Sequence, residues 1–159
     1  MKKSMIKASL AGFILLMLLT YSCKDPVYDI KKKGIDTMYI TLQDSPNANI
    51  SKYFDVTYEF IKKHIEKGEN VLVHCWAGIS RSSTIALNYM IRTAYENNKI
   101  NTCPCEVVKG VINFAKTKRY VIDPNQGFQR QLLIAAMKYQ NQWKKDYQRS
   151  LANVRASVY

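Results

Sequence analysis

Residues 74 to 84 read His74-Cys75-Trp76-Ala77-Gly78-Ile79-Ser80-Arg81-Ser82-Ser83-Thr84, so one cysteine and one arginine stand at the two ends of a five-residue loop. Such a loop can hold a phosphoryl group and attack it. The apolar run Val71-Leu72-Val73 ahead of the loop reads as a buried strand, and the spacing after Arg81 reads as a helix. A loop that closes onto a helix N-terminus aims backbone N–H groups and the positive end of the helix dipole at one small anionic volume. Gly78 relieves the turn where the backbone must come close to a ligand. Arg81 adds a planar fork of donors that takes two phosphate oxygens at once, which lysine cannot do. The same field falls on Cys75 and favours its thiolate. Trp76, Ala77, Gly78, Ile79, Ser80 and Arg81 are therefore the expected substrate-binding set.

Phosphoryl transfer through a thiolate also needs a proton donor for the departing oxygen, from a carboxylate on a separate loop. Asp44 meets that need. It follows the alternating segment Met38-Tyr39-Ile40-Thr41-Leu42, a strand by pattern, and lies in Gln43-Asp44-Ser45-Pro46-Asn47, which is turn chemistry. The rival is Asp55, which falls inside a helical pattern with Phe54, Tyr58, Ile61 and Ile65 and so belongs on a solvated face.

The wording His-Cys-x-Ala-Gly-x-Ser-Arg-Ser resembles the signature of the cysteine-dependent protein phosphatases, specifically their dual-specificity branch. Members of that family carry the general acid at the end of such a strand, and Asp44 stands 31 positions ahead of Cys75. The resemblance implies a phosphocysteine mechanism with Cys75 as nucleophile, Arg81 on the phosphate and Asp44 as general acid and base. Ser82 resembles the family hydroxyl that supports the leaving thiolate, although a helix N-cap would look the same. His74 is similar to the family histidine that orders the loop and tunes the thiolate. Farther on, Arg119-Tyr120-Val121-Ile122-Asp123-Pro124-Asn125-Gln126-Gly127-Phe128 followed by Gln131-Leu132 resembles a family segment, with Tyr120 where proline is usual. By the same likeness Asn125 braces the catalytic loop, and Phe128 and Leu132 anchor the last helix. The likeness runs from about residue 36 to 143. It implies no cofactor and no metal, and two histidines with four scattered cysteines offer little from which to build a metal site.

Around these residues 159 positions leave room for one domain with one core. Alternating short apolar strands and helices indicate an α/β fold: a small central, mostly parallel or mixed sheet flanked by helices, with the Cys-x5-Arg loop between strand and helix. Helices are expected over Ser83 to Tyr95, with Ile85, Ala86, Met90, Ile91 and Ala94 in register, and from Pro104 through Ala115. The expected organisation is an apolar N-terminal segment over residues 1–23, the phosphatase domain over 24–145 and a basic tail over 146–159. The chain is too short for the deeper pocket of receptor-type tyrosine phosphatases, so phosphoserine and phosphothreonine should reach Cys75 as well as phosphotyrosine.

Twenty-four basic and 12 acidic residues give a formal net charge of +12, which steers anionic substrates and fits an acidic docking partner. Lys31-Lys32-Lys33 is the densest basic run and reads as a solvated face. Aromatic residues are not arranged as a stacking platform, so no specific nucleic acid is expected. At the N-terminus a basic stretch precedes an uncharged run from Ala8 to Cys23. Phe13 to Tyr21 reads first as a buried strand or helix of the domain, with a signal or membrane tether through residues 8–23 as the second reading. A reactive cysteine favours a cytoplasmic location over an oxidising one, with a membrane-associated or exported form as the alternative. Cys103-Pro104-Cys105 reads as two small residues at a helix start, and the Asn49-Ile50-Ser51 sequon as unmodified.

Three other functions compete for the same loop. A phosphoinositide phosphatase places lysines inside it, where this chain has Trp76 and Ile79; an RNA 5′-phosphatase has Arg-Thr-Gly, where this chain has Arg81-Ser82-Ser83. A phosphoprotein-binding module without activity would lack the cysteine, arginine or acid, and all three are present.

Overall fold

The computed structural model describes residues 13–19, 34–97, 100 and 102–156, the first seven as backbone alone. Three strands form one parallel sheet: β1 (Phe13–Leu19), β2 (Thr37–Thr41) and β3 (Asn70–His74), in the order β2-β1-β3. The uninterrupted apolar sequence of β1 is that of a middle strand in a parallel sheet. Its register sets Leu19 beside Thr41 and Met17 beside His74. Because β2 and β3 both run parallel to β1, the loops that follow them leave from the same edge of the sheet. The remainder of the Ala8 to Cys23 run, the preceding basic residues and Lys31-Lys33 lie outside the described residues.

Among the described residues four helices complete the domain. Helix α1 (Phe54–Glu66) follows a single 3-10 turn at Ser51–Tyr53. Asn49 Oδ1 accepts from the Lys52 N–H at 3.2 Å and from the Ser51 hydroxyl at 2.9 Å there, which satisfies a donor left over at a helix start. Helix α2 (Arg81–Asn97) packs on β3 and β1, and α1 packs on β3 and α2. Helix α3 (Pro104–Lys118) starts with proline at its first position, where no N–H is needed. Helix α4 (Gln126–Ala156) lies against α2 and α3, and it continues through the residues read from sequence as a basic tail.

The core is built from one face of each helix and the end of β2. Ile50, Ile85, Ile91, Phe128 and Leu132 are fully buried, with Ile40, Phe54 and Ile61 beside them. Burial of each such side chain is worth about 1.5–3 kcal/mol.

Four expectations need correction. Val71-Leu72-Val73 is a strand, but Leu72 is 53% exposed while Val71 and Val73 are half-buried against the core, because successive residues of a strand face opposite sides of the sheet. On α1, Ile65 is exposed and His64 is buried instead, its ring held between Glu69 at 2.5 Å and Asp36 at 3.2 Å. Ser82 is the second residue of α2 and does not cap it. Cys103 and Cys105 are joined as a disulfide across Pro104, so they are more than two small residues.

Candidate active site

The phosphate loop begins where β3 ends, and Gly78 takes a backbone φ of +67°, in the left-handed region that residues with a Cβ avoid. Cys75 is buried, and its sulfur lies 3.2 Å from the Ser82 hydroxyl. Burial alone would push the thiol up. The Ser82 hydroxyl, the backbone N–H groups of Ser82 and Gly78 and the Arg81 charge outweigh it, so the thiol sits below its ordinary range. Here the sequence argument becomes geometry, with donors converging on one sulfur.

Arg81 is buried at the first position of α2. Its Nη1 donates to the Leu42 carbonyl at 3.2 Å, which holds the guanidinium across to the end of β2. Its Nε lies 3.7 Å from Asp44 Oδ2, near enough for attraction and too far for a hydrogen bond. That Nε is a buried donor without a partner among the described residues. A donor in that state beside the loop is what an anion would satisfy.

Asp44 lies just beyond β2, and its carboxylate is one-third exposed. Oδ1 accepts two bonds, from the Ser80 hydroxyl at 2.7 Å and from Asn125 Nδ2 at 2.9 Å. The Ser80 hydroxyl in turn accepts from the Asn125 N–H at 3.1 Å. Asn125 Oδ1 accepts from the Phe128 N–H at 3.0 Å, which makes Asn125 the cap of α4. One asparagine thus ties the acid loop, the phosphate loop and the last helix together. Asp55, by contrast, lies exposed on α1 and pairs with Arg92 at 3.0 Å.

The structure brings together Cys75, Ser82, Arg81, Ser80, Asp44 and Asn125. The remaining loop residues differ in exposure: Trp76 is 87% exposed, Ala77 and Ile79 are exposed, and Gly78 is half-buried. His74 ends β3 half-buried, one residue behind the sulfur, and its ring makes no hydrogen bond to a described residue. A cavity of about 410 Å³ beside the loop is lined by His74, Cys75, Trp76, Gly78, Ser82 and Arg119, among others. Among the described residues no cluster of three or more His, Cys, Asp or Glu side chains could hold a metal ion.

Three contributions escape the sequence reading. Ser80 holds the acid with its side chain, while its carbonyl takes the Thr84 N–H at 2.9 Å and the Ser83 and Thr84 hydroxyls at 2.7 Å. The Arg119 guanidinium lies against Gly78, where a Cβ would meet its Nη2 at 2.9 Å. A Cβ on Gly127 would fall 1.8 Å from the Pro46 carbonyl oxygen, so α4 meets the acid loop at a distance only glycine allows. Proline and glycine in turn-like stretches were visible signals, but not that these two touch.

Comparison with known proteins agrees with this geometry. The family described as dual specificity phosphatase, catalytic domain, matches residues 2–141, and the chain belongs to that family. Human dual specificity protein phosphatase 5 is 39% identical over 95 residues, covering 60% of this chain and 22% of that protein. Tyrosine-protein phosphatase vhp-1 of Caenorhabditis elegans is 34% identical over 116 residues, covering 73% of this chain and 16% of its own. Protein 123R of Invertebrate iridescent virus 6 is 36% identical over 99 residues, and the match spans 62% of this chain and 63% of the viral one. The chain thus spans less than two thirds of the length of these relatives. Among solved structures, DUSP15 is 26% identical with a TM-score of 0.62, covering 83% of this chain and 78% of its own. The Yvh1 phosphatase domain from Chaetomium thermophilum shares the fold at 22% identity and a TM-score of 0.62, covering 76% and 77% of the two chains.

Proposed function

We propose that this protein hydrolyses phosphotyrosine and phosphoserine or phosphothreonine in proteins through a phosphocysteine intermediate. The observation that carries the reading is the meeting of a lowered thiol, a buried arginine with a spare donor and a braced carboxylate at one edge of the sheet. In the first step the Cys75 thiolate attacks phosphorus, and Arg81 with the loop amides holds the equatorial oxygens. The phosphorus–oxygen bond to the leaving group breaks as Asp44 gives that oxygen its proton. In the second step Asp44 takes a proton from water, the water oxygen bonds to phosphorus, and the sulfur–phosphorus bond breaks. The Ser82 hydroxyl, 3.2 Å away, donates to the thiolate as it leaves. His74 orders the loop from behind, and Trp76, Ala77, Gly78, Ile79 and Ser80 form its rim and floor. Asn125 supports the acid rather than touching substrate.

The substrate is a phosphorylated protein, and the +12 charge favours acidic partners in docking. Family membership and the loop residues favour protein substrates over phosphoinositide or RNA 5′-phosphate and over a binding module without activity. The domain includes residues 13–19, since a tether or signal role for residues 8–23 would take the middle strand out of the sheet. No helix among the described residues is long and apolar enough to cross a membrane. The cytoplasm suits the free Cys75 thiol.

Turnover of a phosphopeptide panel tests the reading. Cys75→Ser should abolish turnover and leave phosphate binding intact, and undiminished hydrolysis would rule out the covalent route. Asp44→Ala should slow phosphoserine peptides by ~10²–10⁴-fold and an activated aryl phosphate far less. If Asp55→Ala shows that pattern and Asp44→Ala does not, the acid is misassigned.

A further inference from the structure

Helix α4 is 31 residues, about 46 Å at 1.5 Å per residue, and only its first half is packed. Its last buried side chain is Gln140, whose Nε2 donates to the Thr102 carbonyl at 2.8 Å. From Asn141 to Asn153 every residue is exposed except Trp143. A helical overhang of that length gains little from its own hydrogen bonds in water and is normally held by packing. Its two long edges differ in chemistry. Tyr139, Trp143, Tyr147 and Leu151 recur every four residues and form an apolar row, with the Trp143 and Tyr147 rings stacked at 5.7 Å. Lys138, Lys145 and Arg149, spaced seven and four, form a basic row.

Between the rows, at the root of the overhang, a cavity of about 490 Å³ opens where α1, α2 and α4 meet. Tyr95, Tyr139 and Trp143 line it together with Arg92 and Lys138 and with the carboxylates of Asp55, Glu96 and Asp146, which those two cations and Arg149 pair. Tyr95 is 1% exposed, and its hydroxyl has no hydrogen-bond partner among the described residues. Arg92 is already committed, bound to Asp55, Glu59 and Glu96 and stacked 3.9 Å over the Tyr58 ring. The basic row retains fewer local carboxylates: Lys138 meets Asp55 at 3.6 Å and Arg149 meets Asp146 at 3.4 Å, both near the surface.

We propose that this face docks an acidic amphipathic helix of a protein partner, which seats one large apolar side chain in the cavity and lays its carboxylates along Lys138, Lys145 and Arg149. Three observations select that occupant. The cavity is concave, so a side chain can fill it and a flat lipid surface cannot. The basic row beside an apolar row matches a helix with one acidic edge. A second copy would bring its own basic row to a chain already carrying +12, which opposes self-pairing. The proposal gives the acidic partner a location and rests on the preceding reading only for the sign of that partner. The cavity lies near Arg92, eleven residues along α2 from Arg81, so about 17 Å from the phosphate loop.

The test uses the full chain with Trp76→Phe, so that Trp143 is the remaining tryptophan. The probe is a synthetic 18-residue amphipathic peptide with a leucine and phenylalanine face and a glutamate edge. A control peptide carries lysine for each glutamate. The acidic peptide should shift Trp143 emission to the blue with saturation. Lys138→Glu/Lys145→Glu/Arg149→Glu should weaken its binding at least tenfold, while the same three substitutions in the chain that keeps Trp76 leave hydrolysis of a small aryl phosphate at the rate of the unaltered chain. Equal binding of the lysine peptide, or no binding of either, would overturn the proposal. So would recruitment to phosphatidylserine vesicles through these same residues, or dimerisation that the triple substitution abolishes. Loss of aryl phosphate hydrolysis in the unaltered chain would instead strike the phosphatase reading and leave the docking result standing.

Discussion

Replacing Asn125 separates two jobs that one side chain performs. Its carbonyl oxygen caps α4 through the Phe128 N–H, and its amide donates to Asp44 Oδ1 at 2.9 Å. Asn125→Ala loses both. The cap is worth about 1 kcal/mol. A hydrogen bond to a charged group is worth ~1.5–3 kcal/mol when buried, but the Asp44 carboxylate is 35% exposed and keeps its bond from Ser80, so about 1 kcal/mol is the better figure. The expected loss is thus about 2 kcal/mol, which at an ordinary urea m-value moves the midpoint down by roughly 1 M. Asn125→Ser restores a capping oxygen without reaching Asp44 and should recover about half of that loss. In turnover the two variants should look alike: both leave Asp44 less firmly placed, which slows a phosphoserine peptide about tenfold, equal to about 1.4 kcal/mol in the barrier, and leaves an activated aryl phosphate nearly unchanged. Urea titrations followed by circular dichroism and paired rate measurements on the two substrates read both effects. Equal instability of Asn125→Ser and Asn125→Ala would refute the capping argument. Wild-type phosphoserine turnover in both would refute the bracing of the acid.

Ser82→Ala removes the side-chain donor that helps hold the Cys75 thiol down, so the thiol should move up. Since the thiolate is the reactive form, alkylation by iodoacetamide and the acidic limb of the rate profile should both shift to higher pH; an unmoved limb would mean that the hydroxyl does not act on the sulfur. Gly127→Ala forces a Cβ onto the Pro46 carbonyl oxygen, which backbone must yield to relieve, so it should cost more than 2 kcal/mol in urea titrations and depress phosphoserine turnover with it. A tolerated alanine there would show that the acid loop and α4 do not meet so closely. Arg81→Lys keeps the charge but loses the planar fork and the Nη1 bond to the Leu42 carbonyl, so turnover should fall by at least a hundredfold; near wild-type rates would place the arginine away from the phosphate.

The chemistry of this protein is legible in its primary sequence because it is local. A cysteine, a glycine that tolerates φ above zero and an arginine at a helix start form one contiguous loop, and their spacing alone makes the donors converge. The helix after the loop was legible for a similar reason, since Ile85 and Ile91 follow its period, whereas Phe128 and Leu132 were placed by the family likeness. Long-range pairings were not. That β1 lies between β2 and β3 decides which loops share an edge, and although the apolar sequence of β1 suits a middle strand, it does not say which strands flank it. On β3 the helices cover the face that carries Val71 and Val73 and leave Leu72 on the other face exposed, which an apolar triplet could not announce. Ser80, Asn125 and Asp44 are 36 to 81 residues apart in pairs and meet within 2.7 to 3.1 Å. Asp44 stood out by its turn and Asn125 by the family likeness, but that the Ser80 hydroxyl joins them could not be read from their places in the sequence. Only the packing of α4 against the acid loop, at a contact that excludes any side chain on Gly127, makes them a support for one carboxylate. Local geometry is encoded by neighbours along the chain, whereas the placement of the acid relative to the thiolate depends on which surfaces the helices bury together.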